Sequence, residues 1–413
     1  MGHASGTGRR MRSRVIWTAG LLCVVVAVVG AGPTGADPAA PATEDMPRII
    51  EDASAGDWAV DRFAGSSTAG PAFFPGPARE VGGLGRCGAC PLPDGRVLVP
   101  FAGGLAEVAA DGVMRLLLDR VSLGSGTTGQ VTASVVACDP RDGKVYLAGP
   151  NCILQLVETP GAPATVKPVA GVPGRRGFDD GPVGSATFTR IDNIVINSRG
   201  QMFVLDYNQR LRRIDSGTVT TLNSRFRGGK RADGPLAKVG FALIGLGGNI
   251  CLGENDDTLY VSDHWNFCVR RIDLKAGMVT TVAGMPKPAQ WKRDKQTPRQ
   301  RRYNVNCDGP ALTWASFNSG CAYVCYDPVH GTLWCGGPDE DRLRWLRGDR
   351  VLTVLGARPK RRWPRDALHV PAADVRLPWN AVVAVDGQGR AYVSCSGEPH
   401  GLWRVYNRKE IRR

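Results

Sequence analysis

Two stretches of the chain, Phe203–Asp215 (FVLDYNQRLRRID) and Tyr260–Asp273 (YVSDHWNFCVRRID), follow one pattern of apolar, polar and charged residues. Each begins with a short apolar run that ends in aspartate, passes through a polar loop, and continues with alternating apolar and basic residues. Both are soon followed by Val-Thr-Thr, at residues 219–221 and 279–281. Alternation with a period of two is typical of β-strands, so each stretch predicts a hairpin followed by a further strand.

The same pattern recurs along most of the chain. Within each copy, an apolar strand enters a polar turn such as Asp94-Gly95 or Asp142-Gly143, and three further short strands follow. Six copies of four antiparallel strands, without a helical period, predict an all-β fold, a six-bladed β-propeller. The copies begin at Ser134, Ile191, Leu246 and Cys321, with weaker copies from Cys87 and Asn380.

These stretches resemble the NHL-repeat family of β-propellers. A second element of the resemblance is an Asp-Gly-Pro triplet followed by phenylalanine, which precedes three of the copies. The resemblance covers most of residues 56–410 and is most specific in the third and fourth copies. The triplets and their phenylalanines are Asp180-Gly181-Pro182 with Phe188, Asp233-Gly234-Pro235 with Phe241, and Asp308-Gly309-Pro310 with Phe317.

The two ends of the repeat region are expected to meet in one blade. The last copy ends with its third strand, Leu402–Tyr406, and lacks a full fourth strand. The segment Trp58–Gly65 (WAVDRFAG) resembles Met278–Gly284 (MVTTVAG), an outermost strand. We therefore predict that the N-terminal strand completes blade six, which removes an open sheet edge. Truncation at about residue 66 should then destabilise the whole ring.

The N-terminus carries the features of an export signal. Four arginines between residues 9 and 14 precede the apolar run Val15–Ala31. Residues 1–36 are therefore predicted to be a signal peptide cleaved after Ala36, or an uncleaved membrane anchor. Residues 37–55 are predicted to be a linker and 56–413 the propeller. Either interpretation puts the propeller outside the cytoplasm: periplasmic, extracellular or anchored facing outward.

Composition limits the class of protein further. The chain has 413 residues, of which 43% are hydrophobic, so disorder over its whole length is excluded. Eleven of its 12 cysteines follow the signal segment. Their positions in predicted inner strands favour small buried hydrophobic residues, and we expect few disulfides. No Walker loop or HExxH motif occurs in the sequence.

The net charge of +14 is unevenly distributed. Four predicted connectors between blades, residues 171–185, 223–240, 285–314 and 357–374, carry 19 basic and 7 acidic residues. This excess is larger than that of the whole chain after residue 36. We expect the connectors to share one face of the propeller with the loops between second and third strands.

Two inserts in these connectors, residues 286–304 and 357–369, each place a tryptophan among cations. Guanidinium groups pair with carboxylates, sulfates and phosphates, and an indole ring can stack on a sugar. The leading hypothesis is a non-enzymatic binding or scaffold propeller whose partner is an anionic glycan, an envelope polymer or a protein; nucleic acid is a lesser candidate. The opposing interpretation is a solvated loop whose charge only aids solubility. The predicted ligand-binding residues are Trp291, Lys292, Arg293, Arg301, Arg302, Arg361, Arg362 and Trp363.

The alternative hypothesis is a metal-dependent lyase or lactonase with its site at the mouth of the channel. Its candidates are Asp206, Asp263, His264 and Glu398, in predicted loops between second and third strands. Carboxylates and histidine could hold Ca²⁺ or Zn²⁺, and no other cofactor is expected. Against this, an aspartate that belongs to the repeat itself more often accepts hydrogen bonds from loop backbone amides.

Overall fold

The structure is a computed structural model, in which the residues that can be described all belong to one compact unit, Thr43–Arg413. The predicted signal segment, the linker up to residue 50 and both tryptophan-containing inserts lie outside the described residues. No helix within the described ranges is long and apolar enough to cross a membrane. These ranges are 51–66, 75–82, 84, 87–101, 104–119, 135–149, 151–207, 210–223, 231–243, 250–285, 307–317, 321–337, 342–356, 370–371, 375, 380–395 and 401–409.

Six small antiparallel sheets form a ring, which confirms the predicted six-bladed β-propeller. A 3₁₀ turn, Ala55–Asp57, leads into β1 (Trp58–Ala64). Blade one contains β2 (Gly76–Pro77), β3 (Cys90–Pro91), β4 (Val97–Phe101), β5 (Gly104–Val108) and β6 (Val113–Asp119). Blade two contains β7 (Val136–Cys138), β8 (Val145–Gly149), β9 (Cys152–Val157) and β10 (Thr165–Ala170).

The two blades that carry the defining stretches follow. Blade three contains β11 (Gly181–Pro182), β12 (Ile191–Ile196), β13 (Met202–Asp206), β14 (Arg210–Asp215) and β15 (Thr218–Thr221). Blade four contains β16 (Gly234–Pro235), β17 (Ile250–Leu252), β18 (Thr258–Asp263), β19 (Cys268–Asp273) and β20 (Met278–Ala283). Its short 3₁₀ turns are Leu236–Lys238 and His264–Asn266.

The last two blades complete the ring. Blade five contains β21 (Gly309–Pro310), β22 (Tyr323–Asp327), β23 (Thr332–Gly336), β24 (Leu343–Arg347) and β25 (Arg350–Leu355). Blade six contains β26 (Val370–Pro371), β27 (Asn380–Val385), β28 (Ala391–Cys395) and β29 (Gly401–Asn407), with β1 as its fourth full strand. Residues buried to 5% exposure or less, such as Phe188, Ile194 and Val204, pack in clusters with residues of the neighbouring blade.

Five of the six sheets carry a fifth strand of two residues that the sequence did not predict. In blades three, four and five this strand is the Gly-Pro of the Asp-Gly-Pro triplet, paired with the outermost full strand. Proline has no N–H to donate, so it suits a strand at the sheet edge. The triplet therefore ends each of these three blades with an edge that cannot easily be extended.

Blade six is closed as predicted by the N-terminal strand. β1 pairs antiparallel with β29, from Trp58 opposite Asn407 to Ala64 opposite Leu402. The buried Trp58 ring meets Trp334 and Trp345 of blade five edge-on, with centroids 5.6 and 5.4 Å away. The N-terminal segment thus joins blade six to blade five as well as completing its sheet.

The propeller has two faces that differ in their loops. We call the loop face the one that bears the connections between second and third strands, such as those that contain Tyr207 and residues 264–267. The turn face bears the turns between first and second strands, such as residues 94–95 and 386–390, and those between third and fourth strands, such as residues 109–112. Because neighbouring strands in a blade are antiparallel, alternate connections emerge at opposite ends.

The connectors do not stay on the loop face, which corrects part of the sequence prediction. After the triplet of blade four, the chain follows β20 down to the turn face, where the Leu236 amide donates to the Gly277 carbonyl oxygen. Lys238 therefore lies at the turn-face end of the connector. The chain then returns, and Ala242 reaches the loop face, where its carbonyl oxygen accepts from the Trp265 amide. The two-residue strand β16 brings the connector to the turn face because it pairs with the start of β20, the outermost full strand of blade four.

The cysteines occupy interior positions. Cys87 and Cys90 are buried near the centre of blade one. Burial raises the pKa of each thiol to about 12, so both remain protonated and unreactive at neutral pH. This agrees with the expectation that they act as small buried hydrophobic side chains.

Candidate functional site

Asp206, one of the proposed metal-binding carboxylates, is held in a hydrogen-bond network of the repeat itself. It ends β13 and is fully buried. One carboxylate oxygen accepts from the backbone amides of Thr189 and Arg190, each at 3.0 Å, and the other accepts from Arg212 Nη1 at 3.2 Å. The interpretation that this aspartate bonds to loop backbone amides is confirmed.

Asp263 occupies the same place in blade four. It ends β18, is fully buried, and accepts from the Ala242 amide at 2.8 Å. Its other oxygen accepts from Asn266 Nδ2 at 2.9 Å and from Arg270 Nη1 at 3.0 Å. In both blades, therefore, the aspartate fastens the returning connector to the loop that follows the second strand.

Burial also affects the protonation of these carboxylates. It raises the pKa of Asp206 to about 6, although the two backbone amides and Arg212 act in the opposite direction. Burial raises the pKa of Asp263 as well. The interior penalises the negative charge, and the backbone amides together with the adjacent guanidinium favour the ionised form of each aspartate.

The buried arginines are functional residues of the fold that the sequence analysis did not single out. Arg212 also binds Asp180 Oδ1 at 2.8 Å, and Arg270 binds Asp233 Oδ1 at 3.1 Å. In blade five, Arg344 lies 3.6 Å from Asp308 Oδ1. Each of these three aspartates begins an Asp-Gly-Pro triplet, so the triplet and the arginine form one unit. The shared Arg-Arg-Ile-Asp of the two defining stretches was the available signal.

The remaining candidates of the alternative hypothesis give less information. His264 is buried at the start of a 3₁₀ turn, with its ring 5.2 Å from that of Trp265. Glu398 lies outside the described residues. Within the described ranges, no group of three or more His, Cys, Asp or Glu side chains could hold a metal ion. The expectation of Ca²⁺ or Zn²⁺ stays a prediction.

Two exposed aromatic residues stand beside these aspartates on the loop face. Tyr207, which is 40% exposed, directly follows Asp206. Trp265, which is 58% exposed, lies two residues after Asp263. Tyr207 has a positive φ of 53°, which turns the chain sharply after β13. The Arg190 guanidinium lies 5.2 Å from the centre of its ring.

Cations accompany these rings on the loop face. Arg175 and Arg176 are exposed at the start of the connector into blade three, and neither side chain pairs with another of the described residues. The nearby Phe178 ring lies 6.4 Å from that of Tyr207. Aromatic surfaces and unpaired guanidinium groups thus occur together on this part of the propeller.

The eight residues predicted for the basic ligand site all lie outside the described residues. The inserts that carry them follow β20 and β25, and both strands run towards the loop face. The assignment of Trp291, Lys292, Arg293, Arg301, Arg302, Arg361, Arg362 and Trp363 to a ligand site stays a prediction.

Comparison with known proteins supports the class of fold. No family model and no curated protein matches the chain. A solved protein of unknown function from Bacteroides thetaiotaomicron is 13% identical, with a TM-score of 0.56 over 84% of this chain and 75% of its own. An auxiliary nutrient binding protein from the same organism is 10% identical, with a TM-score of 0.56 over 84% and 76%.

A third similar structure carries a different description. It is a putative phosphatase from Bacteroides thetaiotaomicron, 11% identical, with a TM-score of 0.55 over 84% of this chain and 78% of its own. At such low identities the likeness concerns the fold alone. The chain is a six-bladed β-propeller, and its structural neighbours are six-bladed propellers.

Proposed function

We propose that this protein is an exported, non-enzymatic binding propeller that engages an anionic glycan through its loop face. The observation that carries the proposal is the exposure of Tyr207 and Trp265 on the loop face, which also bears the exposed Arg175 and Arg176. Rings that are 40% and 58% exposed offer flat apolar surfaces that a sugar can cover.

The chemistry of these groups suits a charged sugar polymer. An aromatic ring offers a flat apolar surface to the face of a sugar, while guanidinium groups form paired hydrogen bonds to carboxylate or sulfate. A polymer would allow several such contacts at once, from blades three and four to the two basic inserts. The described aspartates give the enzymatic alternative no support, because Asp206 and Asp263 are fully engaged within the protein.

We further propose that the repeats belong to the NHL-like group of propellers. The structure gives the shared motif a physical role: the buried arginine of the third strand pairs with the buried aspartate of the second strand and with the exposed aspartate of the triplet. This role supports the resemblance in blades three and four, where the motif is most complete.

Removing the charge of the inserts should weaken binding to a polyanion. We expect replacement of six residues by glutamine to lower retention on heparin resin and to weaken heparin affinity at least about tenfold, because the loss of even one charge-assisted hydrogen bond, about 1.5–3 kcal/mol, corresponds to about tenfold or more. The measurement is the salt concentration at elution, with titration calorimetry against soluble heparin. The six residues are Lys292, Arg293, Arg301, Arg302, Arg361 and Arg362.

A matched control removes the same charge from the outer strands and the turn face. It replaces six exposed cations by glutamine and should elute close to the unmodified protein. Equal loss of retention in both variants would show attraction by net charge alone and would contradict a loop-face site. Capture of a protein partner without glycan binding would favour the protein alternative. The control residues are Arg115, Lys144, Lys167, Lys238, Lys275 and Arg350.

The exposed indole provides a separate test of the same surface. We expect Trp265→Ala to weaken heparin binding about 2- to 10-fold, because an aromatic contact contributes about 0.5–1.5 kcal/mol beyond its buried area. The melting temperature should not change, since the side chain is 58% exposed. Val329→Ala is the control, because Val329 is 49% exposed in a turn of the opposite face. Equal affinity of the two variants would remove Trp265 from the site.

A further inference from the structure

A crevice of about 420 Å³ lies between blade six and blade one, away from the loop face. Its walls come from β1 and β29 of blade six, from β4 and β5 of blade one, and from turns on the turn face. A volume of this size matches pockets that hold small organic molecules. Its lining includes Phe63, Arg79, Val97, Val108, Arg390, Tyr392 and Arg404.

Three arginines line this crevice and retain hydrogen-bond donors. Arg404 uses Nε and Nη2 on the buried Asp61, at 3.2 and 2.7 Å, and Arg390 uses Nε on Asp386 at 2.6 Å. Arg79 reaches Asp61 with Nη2 at 3.5 Å only. Among the described residues, no partner accepts from the other guanidinium N–H groups of these arginines. The donors of three side chains therefore remain available to a ligand.

The lining itself carries three arginines and one acidic residue among those described, Glu80. Asp61 and Asp386 pair with these arginines and balance the charge of the cluster, so a ligand is held by the free guanidinium donors rather than by an excess of positive charge. Asp61 and Asp386 lie behind the arginines and fix their orientation, which lowers the entropy cost of binding an anion. Arg390 and Arg404 are thus held in place by short ion pairs, whereas Arg79, 46% exposed and with a single contact at 3.5 Å, is a surface side chain at the edge of the crevice.

The remaining wall is apolar and aromatic. Phe63 and Tyr392 meet edge-on, with ring centroids 5.1 Å apart, and Val97 and Val108 are buried beside them. The Tyr392 hydroxyl donates to Asp386 at 3.3 Å. A ligand would therefore meet flat apolar contact on one side and hydrogen-bond donors on the other.

We propose that this crevice is a second binding site, which takes a small organic carboxylate with a compact ring, such as a sugar acid of one residue. The guanidinium N–H groups that are not used on Asp61 and Asp386 donate to the carboxylate, and the ring of the ligand lies against Phe63, since Tyr392 is only 1% exposed. Glu80 at the rim disfavours ligands of higher negative charge. The site is independent of the loop face, because its lining comes from blades six and one.

Titration calorimetry of the full chain tests this site with glucuronate, benzoate, inorganic phosphate and glucose. We expect glucuronate and benzoate to bind, glucose not to bind, and phosphate to bind more weakly than glucuronate. Arg79→Gln and Arg390→Gln should each weaken glucuronate binding about tenfold, as expected for loss of a charged hydrogen bond. Arg115→Gln, an exposed arginine of blade one outside the crevice, should leave the affinity unchanged.

Ala110→Phe is a further variant, which keeps the test decisive if Arg79→Gln or Arg390→Gln disturbs folding. Ala110 is exposed at the crevice, so a phenyl ring can enter the space without displacing the core. This variant should melt like the unmodified protein and lose glucuronate binding. The proposal is overturned if glucuronate and benzoate fail to bind at millimolar concentration, if phosphate binds more tightly, or if binding survives both Ala110→Phe and Arg79→Gln.

Discussion

Deletion of residues 1–64 is expected to abolish cooperative unfolding of the propeller. The deletion removes β1, leaves β29 as an open edge and uncovers the buried faces of Trp334 and Trp345. It also removes Asp52, which accepts from Trp345 Nε1 at 3.0 Å. Because an open apolar edge pairs readily with other chains, the product should aggregate. Calorimetry and size-exclusion chromatography measure both effects.

A chain that begins at Thr43 is the control for this deletion. It retains every described contact of the ring and should unfold in one transition like the full protein. A normal melt after deletion to residue 64 would contradict the closure argument.

A single side chain should reproduce much of the loss. Trp58→Ala is expected to lower the free energy of unfolding by about 3–5 kcal/mol, since it leaves a cavity in the cluster that contains Trp334, Trp345 and Trp403. Urea denaturation measures this change. Trp265→Ala removes the same side chain from an exposed position and should change stability by less than about 0.5 kcal/mol.

The second large effect is expected at the buried ion pair of blade four. Arg270→Met should lower the free energy of unfolding by about 3–5 kcal/mol, because it leaves Asp263 buried without its guanidinium partner. The methionine occupies similar space, so the loss reports the charge rather than a cavity. Urea denaturation at pH 7 is the measurement.

A double variant separates the pair from the individual side chains. In Arg270→Met with Asp263→Asn, the buried charge is gone, while the asparagine oxygen can still accept from the Ala242 amide. The double variant should therefore be more stable than Arg270→Met alone. If the two losses simply add, the arginine and the aspartate do not act as a unit.

The sequence was sufficient for the fold because the strand pattern of one blade repeats along the chain. Alternating residues and Gly turns predict strands within one blade, and the likeness of Trp58–Gly65 to an outermost strand predicts ring closure. The candidate aspartates Asp206 and Asp263, predicted in the loops between second and third strands, are instead the last residues of the second strands. Each of these features repeats along the chain, so one copy helps to interpret the next.

The sequence was insufficient where residues from different elements meet. The partnership of Arg212 with Asp180 joins a strand to a connector, and the crevice joins Phe63 to Val97 across two blades. Exposure could not be assigned to Tyr207 or Trp265, because aromatic residues in a repeat are usually buried. Such contacts depend on the three-dimensional arrangement of the ring rather than on residue spacing.

The closure of blade six determines when during synthesis the N-terminal strand can pair. β1 is among the first strands to be synthesised, and its partner β29 is the last. At about 5–20 residues per second, β1 waits roughly 20–70 seconds before it can pair. During that interval Trp58 and Val60, which are fully buried in the finished ring, are open to the surroundings. The apolar face of this early strand therefore has no partner in its own sheet until translation has reached the final blade.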